Sequence, residues 1–199
     1  MLDNAIKKYT ALNELAEQEG IVILGGSADR DIPLCELKQA FALDANLYNR
    51  SVDDLSIDTA AKVYDACVAP LHPETVLLHV GAADLNFFAE HPAEFDQAYR
   101  ELIAHIQAAD PKCGIVIISL KNPTEEANIS EMNKHLRYIA ESEQCRYGDI
   151  AAKRVWNPKQ TKDVVSFVYS MGFVRPLHNK RPIYDLVKIL FCCEASCIA

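Results

Sequence analysis

Ser27 and His178 are the two residues whose types and positions best suit a chemical role. Ser27 follows the apolar run Ile21–Leu24 and two glycines, Gly25 and Gly26. The glycines allow a tight turn that presents a hydroxyl together with neighbouring backbone N–H groups. A serine placed in this way attacks a carbonyl carbon once a base removes its proton. The alternative interpretation is that Ser27 caps a helix that follows it.

His178 stands in the stretch Arg175-Pro176-Leu177-His178-Asn179, immediately before a predicted closing helix. A histidine in that loop can act as general base toward a serine at the end of the first strand. Taken alone, the position is more typical of a surface or helix-start histidine. His79 lies within an apolar run, which indicates a core histidine that makes a hydrogen bond. Neither the other histidines nor the cysteines near the C-terminus have the spacing of a metal site, so no metal or other cofactor is predicted.

Apolar runs alternate with amphipathic segments along the chain, which indicates parallel strands joined by helices. The predicted strands are Ile21–Leu24, Asn46–Asn49, Thr75–Val80, Gly114–Leu120 and Cys145–Ile150. The predicted helices are Leu2–Glu19, Pro33–Phe41, Ser56–Val68, Pro92–Ala109, Glu125–Gln144 and Asn179–Cys193. The fold class is therefore α/β: a three-layer α/β/α sandwich, flavodoxin-like, whose central and mostly parallel sheet has about five strands.

A single domain is predicted over residues 1–199, with an added helix at 1–19, a core at 20–193 and a tail at 194–199. The apolar stripe of the added helix contains Ile6, Tyr9 and Leu15. This stripe should pack on the domain or on a second copy of the chain, because a homo-oligomer would also remove it from water.

The site is expected at one edge of the sheet, because ligands of parallel α/β sheets bind beyond the carboxyl ends of the strands. The loops at that edge are Gly25–Arg30, Asn49–Asp54 and Gly81–Asn86, together with the segment before the closing helix.

Net charge, the lengths of the apolar runs and the cysteine spacing limit the partners and the cellular location that can be expected. The chain has 199 residues and a formal net charge of −8, which repels phosphate backbones, so no nucleic-acid partner is predicted. No apolar run approaches the ~20 residues that cross a bilayer, and the N-terminal residues lack the pattern of a signal peptide. The seven cysteines are irregularly spaced, unlike a disulfide framework. A cytoplasmic protein with reduced thiols and no membrane insertion is expected.

Four stretches, in order, resemble the four sequence blocks of the SGNH (GDSL-like) hydrolase family. They are Ile23-Leu24-Gly25-Gly26-Ser27, Asn49-Arg50-Ser51, Leu78-His79-Val80-Gly81-Ala82-Ala83-Asp84-Leu85 and Arg175-Pro176-Leu177-His178-Asn179. Each stretch is a weak signal by itself, but their order and spacing together are fairly specific. The resemblance covers residues 21–193 and implies the same sandwich fold.

The resemblance also implies roles for individual residues. Ser27 would be the nucleophile and His178 its base, and the backbone N–H groups of Ser27 and Ser51 would contribute to the oxyanion hole. Three family positions are substituted. Ser51 stands where the family has glycine, Ala83 where it has an asparagine donor, and Arg175 where it has the aspartate that orients the histidine.

These substitutions decide how much activity to expect. Losing one oxyanion donor costs about 10²–10³ in rate, and neutralising the triad acid of a serine protease costs about 10⁴. Arg175 also opposes formation of the imidazolium. Asp29, Asp84 and Asp163 are the candidates to replace the missing acid.

Three functions remain open from the sequence. The first is weak hydrolysis of an ester or acylated small molecule by a Ser27–His178 dyad. The second is an inactive SGNH-fold protein that binds an anionic small molecule or a protein partner. Arg175, His178 and the N–H groups around Ser27 would bind the anion at a helix start. The third is a flavodoxin-like nucleotide-binding domain, which Asp29 disfavours because a phosphate would meet a carboxylate there.

Overall fold

The computed structural model describes residues 2–30, 32, 34, 35, 38, 45–121 and 126–149. The strands are β1 (Ile21–Gly25), β2 (Leu47–Asn49), β3 (Thr75–His79), β4 (Gly114–Ile118) and β5 (Arg146–Gly148). The helices are α1 (Leu2–Asn13), α2 (Ile57–Val63), α3 (Leu85–Glu90), α4 (Pro92–Ala109) and α5 (Ala127–Ser142). The predicted closing helix and most of the predicted helix Pro33–Phe41 lie outside the described residues.

The five strands form one parallel sheet in the order β2-β1-β3-β4-β5. β1 lies between β2 and β3, with Gly25 of β1 opposite His79 of β3. β4 extends the sheet from β3, and β5 closes it. All five predicted strands are present, and the prediction of a three-layer α/β/α sandwich with a parallel central sheet is confirmed.

Both faces of the central strands are buried, as expected of a parallel sheet covered on two sides. One face packs into the main core with the helices, through Val22, Leu24, Val76, Leu78, Ile115 and Ile117. The side chains of the opposite face are buried as well, among them Ile21, Ile23, Leu77 and Val116. Continuous apolar strands are therefore required here, because alternation would place polar groups against one of the layers.

Helix α1 is shorter than the sequence pattern predicts, because it ends at Asn13 and not at Glu19. The Asn13 side chain donates to the carbonyl of Cys67 and accepts two bonds from the Arg50 guanidinium at 3.0 and 2.7 Å. These tertiary bonds fix the end of the helix, and a turn follows. Leu15 lies beyond that end and is 85% exposed, so its assignment to the packed stripe was wrong.

The remaining part of the stripe packs on the domain as predicted. Tyr9 is buried, and its hydroxyl donates to the Ser51 carbonyl at 2.6 Å. The Arg50 guanidinium lies 5.3 Å from the centre of the Tyr9 ring. Helix α1 is thereby attached to the loop that follows β2, which is one of the predicted site loops.

Helix α2 begins at Ile57 with Ser56 as its N-cap residue, but the Ser56 side chain makes no capping hydrogen bond. The Ser56 hydroxyl bonds to the Thr59 hydroxyl, and the Ile57 N–H donates to both oxygens of Asp84 at 3.2 and 3.0 Å. A carboxylate from another loop therefore accepts the hydrogen bond of the first helical N–H, and its negative charge stabilises the positive, N-terminal end of the helix. The α-helix ends at Val63 and continues as a π-helical turn, Tyr64–Val68.

Candidate active site

The three loops that follow β1, β2 and β3 are joined by hydrogen bonds at the carboxyl edge of the sheet. The β1 loop contacts the β2 loop between Ser27 and Asp54, and again between Asp29 and Asn49. The β2 loop leads into α2, whose first amide is bound by Asp84 of the β3 loop. The expectation that these loops meet at one edge is therefore confirmed for the described residues.

Ser27 lies at the surface of this edge, two residues beyond the end of β1. Its Oγ accepts a hydrogen bond from the Asp54 N–H at 3.1 Å and donates weakly to Asp54 Oδ1 at 3.4 Å. The hydroxyl is thus solvent-exposed and hydrogen-bonded to one residue of the next loop. Asp54 itself has a left-handed backbone, with φ of 51°.

Ser51, the predicted oxyanion donor of the second loop, is fully buried. Its N–H donates to Asn49 Oδ1 at 2.9 Å, and its hydroxyl has no hydrogen-bond partner among the described residues. The backbone donor that the family resemblance implies therefore already has an acceptor. Stabilising an oxyanion with this N–H would require Asn49 to release it. The role of Ser51 stays a prediction.

Ala83 and Asp84 occupy a 3-10 turn, Ala82–Asp84, after β3. Ala83 is exposed and offers no side-chain donor, whereas Asp84 is buried and bound to the start of α2. Burial raises the pKa of the Asp84 carboxyl to about 6, against the lowering effect of its hydrogen bond from Ile57. Asp84 therefore has a structural role, because its carboxylate connects the β3 loop to the start of α2.

Asp29 and His79 form a buried pair beneath the Ser27 loop. The two carboxylate oxygens lie 2.8 and 2.9 Å from His79 Nδ1, and both residues are less than a tenth exposed. The prediction of a core histidine with a hydrogen bond is confirmed. Among the described residues, the other ring nitrogen of His79, Nε2, is buried without a partner. Asp29, a candidate acid for His178, is thus bound to a different histidine.

Lys121 adds a cation near the same edge, three residues beyond the end of β4. Burial lowers the pKa of its ammonium to about 8, while the nearby Asp29 carboxylate acts in the opposite direction. No sequence pattern pointed to Lys121 or to Asp54 individually. The signal for Asp54 was its place in a loop already assigned to the site, but nothing in the sequence paired it with Ser27.

The remaining predicted residues, His178, Arg175 and Asp163, lie outside the described residues, so the Ser27–His178 dyad stays a prediction. Within the described ranges, no group of three His, Cys, Asp or Glu side chains is arranged to hold a metal ion. No helix in those ranges is long and apolar enough to cross a membrane.

No protein-family model matches the sequence, and no curated protein matches it. Solved structures do match the fold. A GDSL-like lipase from Bacteroides thetaiotaomicron aligns with a TM-score of 0.62 at 14% identity, covering 93% of this chain and 94% of the lipase. A family 3 carbohydrate esterase from Clostridium thermocellum aligns with a TM-score of 0.61 at 12% identity, covering 87% of this chain and 95% of the esterase. The resemblance read from the four sequence blocks is therefore confirmed at the level of architecture, and the chain has the fold of the SGNH (GDSL-like) hydrolases.

Proposed function

We propose that this protein is a weak ester hydrolase that acts on a small, neutral ester or acylated molecule. The observation that carries the proposal is the exposed Ser27 hydroxyl at the carboxyl edge of the sheet, in the fold of the GDSL-like lipases and carbohydrate esterases. Ser27 Oγ would attack the ester carbonyl while His178 takes its proton. His178 would return that proton to the departing alcohol, and water would then release the acyl group.

The charges beside Ser27 favour a neutral substrate. The Asp54 carboxylate lies 3.4 Å from Ser27 Oγ, so an anionic ligand placed against the hydroxyl would meet a negative charge. At a solvent-exposed site this repulsion is about 1 kcal/mol at 4 Å. The same charge also opposes the developing oxyanion, which agrees with a low rate. The Ser27 N–H would be the principal donor to that oxyanion.

The decisive experiment is hydrolysis of p-nitrophenyl acetate by the parent and by Ser27→Ala, His178→Ala and the double variant. Both single variants should lose the activity, and the double variant should be no slower, because the two residues act as one proton-transfer unit. Ser142→Ala is a matched control, since its hydroxyl bonds to Ile139 near the far end of α5. Activity that persists in Ser27→Ala would show that this serine is not the nucleophile.

A second candidate is an inactive SGNH-fold protein that binds an anionic small molecule or a protein partner. Two observations favour it: Ala83 supplies no donor, and the Ser51 N–H is engaged by Asn49. Lys121 would contribute a positive charge to such a site. Saturable binding of acetate or phosphate by calorimetry, weakened in Lys121→Gln and unaccompanied by ester turnover, would place this candidate first.

A further inference from the structure

We propose that the buried Asp29–His79 pair is a positioning unit that holds the Ser27 loop in its reactive conformation. The proposal rests on the proposed function, because it assigns Asp29 and His79 a role in the reaction of Ser27. It differs from a triad role, because the pair would act through the backbone of the loop and not by exchanging a proton with the serine.

The Asp29 carboxylate joins the loop to the sheet. Its oxygens lie 2.8 and 2.9 Å from His79 Nδ1, and Oδ2 also accepts the Gly26 N–H at 3.1 Å. The Asp29 N–H donates to the Gly26 carbonyl at 3.0 Å, so a turn with Ser27 inside it is closed at both ends. His79 lies opposite Gly25 in the parallel register of β1 and β3. The turn is thus attached to the rigid centre of the sheet.

The same residue also connects to the second loop. The Asp29 carbonyl accepts the side-chain amide of Asn49 at 2.7 Å, and Asn49 Oδ1 accepts the Ser51 N–H at 2.9 Å. Asp29 therefore links Ser27 to the loop whose backbone would face the oxyanion. Asp29 is thus bound to the first loop through its carboxylate and to the second loop through its backbone carbonyl.

Packing alone does not explain a histidine at this position. Its Nε2 is buried without a hydrogen-bond partner among the described residues, and an unpaired buried nitrogen costs stability. An apolar side chain would avoid that cost but could not donate to Asp29. The hydrogen bond to the carboxylate is therefore the property that distinguishes His79 from the apolar residues around it.

Two substitutions of His79 separate positioning from other roles. His79→Leu removes the donor, whereas His79→Asn can retain one, because an asparagine Nδ2 reaches about as far as the histidine Nδ1. In His79→Leu we expect kcat for p-nitrophenyl acetate to fall by about ten- to hundredfold, with little change in KM. We expect Gly26 amide exchange, followed by NMR, to accelerate by about tenfold as its acceptor becomes mobile. In His79→Asn, kcat and the rate of Gly26 amide exchange should both return most of the way to the parent values.

His135→Leu is the matched control. His135 forms a pair of the same geometry with Asp96, at 2.9 Å from Nδ1 to each oxygen, on helices α5 and α4. His135→Leu should leave both kcat and the rate of Gly26 amide exchange at the parent values.

If His79→Leu fails to fold, Asp29→Asn replaces it as the test variant. The neutral amide of that asparagine accepts hydrogen bonds more weakly than the carboxylate, and its NH₂ group would replace one of the two oxygens that His79 Nδ1 contacts, so the same two quantities should change in the same direction.

Different results would overturn the positioning role and the proposed function. Unchanged Gly26 exchange in His79→Leu or Asp29→Asn would overturn the proposal, whatever the rate. A His79→Asn enzyme as slow as His79→Leu, with Gly26 exchange at the parent value, would also overturn it and assign proton transfer to Nε2. If the parent shows no Ser27-dependent turnover, the proposed function fails, and the exchange measurement still decides whether the pair holds the loop.

Discussion

Replacing Gly25 with alanine would place a methyl group against the Asp29 side chain. The added Cβ would lie well inside contact distance of Oδ2 and 2.8 Å from Cγ, so the carboxylate would have to move. Moving it weakens the hydrogen bonds to His79 and to the Gly26 N–H. Each hydrogen bond to a charged group contributes about 1.5–3 kcal/mol, and overpacking costs about 1–3 kcal/mol. We expect Gly25→Ala to lower the free energy of unfolding by about 3 kcal/mol.

The neighbouring glycine provides the control. A Cβ at Gly26 would have nothing within 4 Å, and neither Gly25 nor Gly26 has a positive φ. Gly26→Ala should therefore be neutral or slightly stabilising, by up to about 1 kcal/mol, since alanine restricts the unfolded chain. Urea denaturation of the two variants under identical conditions measures the contrast.

A double-mutant cycle identifies the cause. Asp29→Ala removes the Oδ2 and Cγ atoms that the new methyl would strike and leaves only a Cβ at 3.2 Å. In that background Gly25→Ala should cost less than about 1 kcal/mol, giving a coupling free energy of about 2 kcal/mol. The reasoning is refuted if Gly25→Ala costs no more than Gly26→Ala, or the same amount with and without the Asp29 carboxylate.

Three further predictions follow from the same edge and from α1. Burial raises the pKa of Asp84 in the folded protein to about 6, above its ordinary value of 3.8, so the parent loses stability as pH rises between these values. The free energy of unfolding of Asp84→Asn, measured in urea, should therefore rise relative to the parent by up to about 3 kcal/mol from pH 4 to 7. Tyr9→Phe should lose about 1–2 kcal/mol by the same method, because the Ser51 carbonyl loses a buried donor, while the exposed Tyr138→Phe should lose nothing. Ala83→Asn should raise Ser27-dependent kcat/KM for p-nitrophenyl acetate by about tenfold, and a comparable gain in Ala82→Asn would contradict an oxyanion role for that side chain.

The sheet could be predicted because each strand has a recognisable local sequence pattern. Ile21–Leu24 is a short, largely β-branched run stopped by glycines, and such runs fit a strand buried on both faces. The end of α1 could not be predicted in the same way. The helical period continues to Leu15, but bonds from Asn13 to Arg50 and Cys67, which are distant in the chain, end the helix first. Tertiary contacts outweighed the local pattern there.

The candidate site, like the fold, could be predicted only in part from the sequence. The position of Ser27 followed from the strand and the glycines, and the meeting of the loops followed from parallel topology. The Asp29–His79 pair did not, because it depends on Gly25 lying opposite His79 in the sheet, and a sequence does not state its own register. Recognising the Asp84 bond to α2 needed the same three-dimensional information.

The surroundings of the carboxylates at this edge bear on how much catalysis to expect. Asp29 accepts hydrogen bonds from His79 and Gly26, and Asp84 accepts the first amide of α2, so each has a partner other than His178. With Arg175 in the family's acid position, a dyad that gains no acid from Asp163 would act at a cost of about 10⁴ in rate. The missing Ala83 donor adds about 10²–10³, and such losses combine less than additively. Enzymes typically exceed the uncatalysed rate by about 10⁶–10¹⁷. A small acceleration should therefore survive, and its dependence on Ser27 distinguishes it from background hydrolysis.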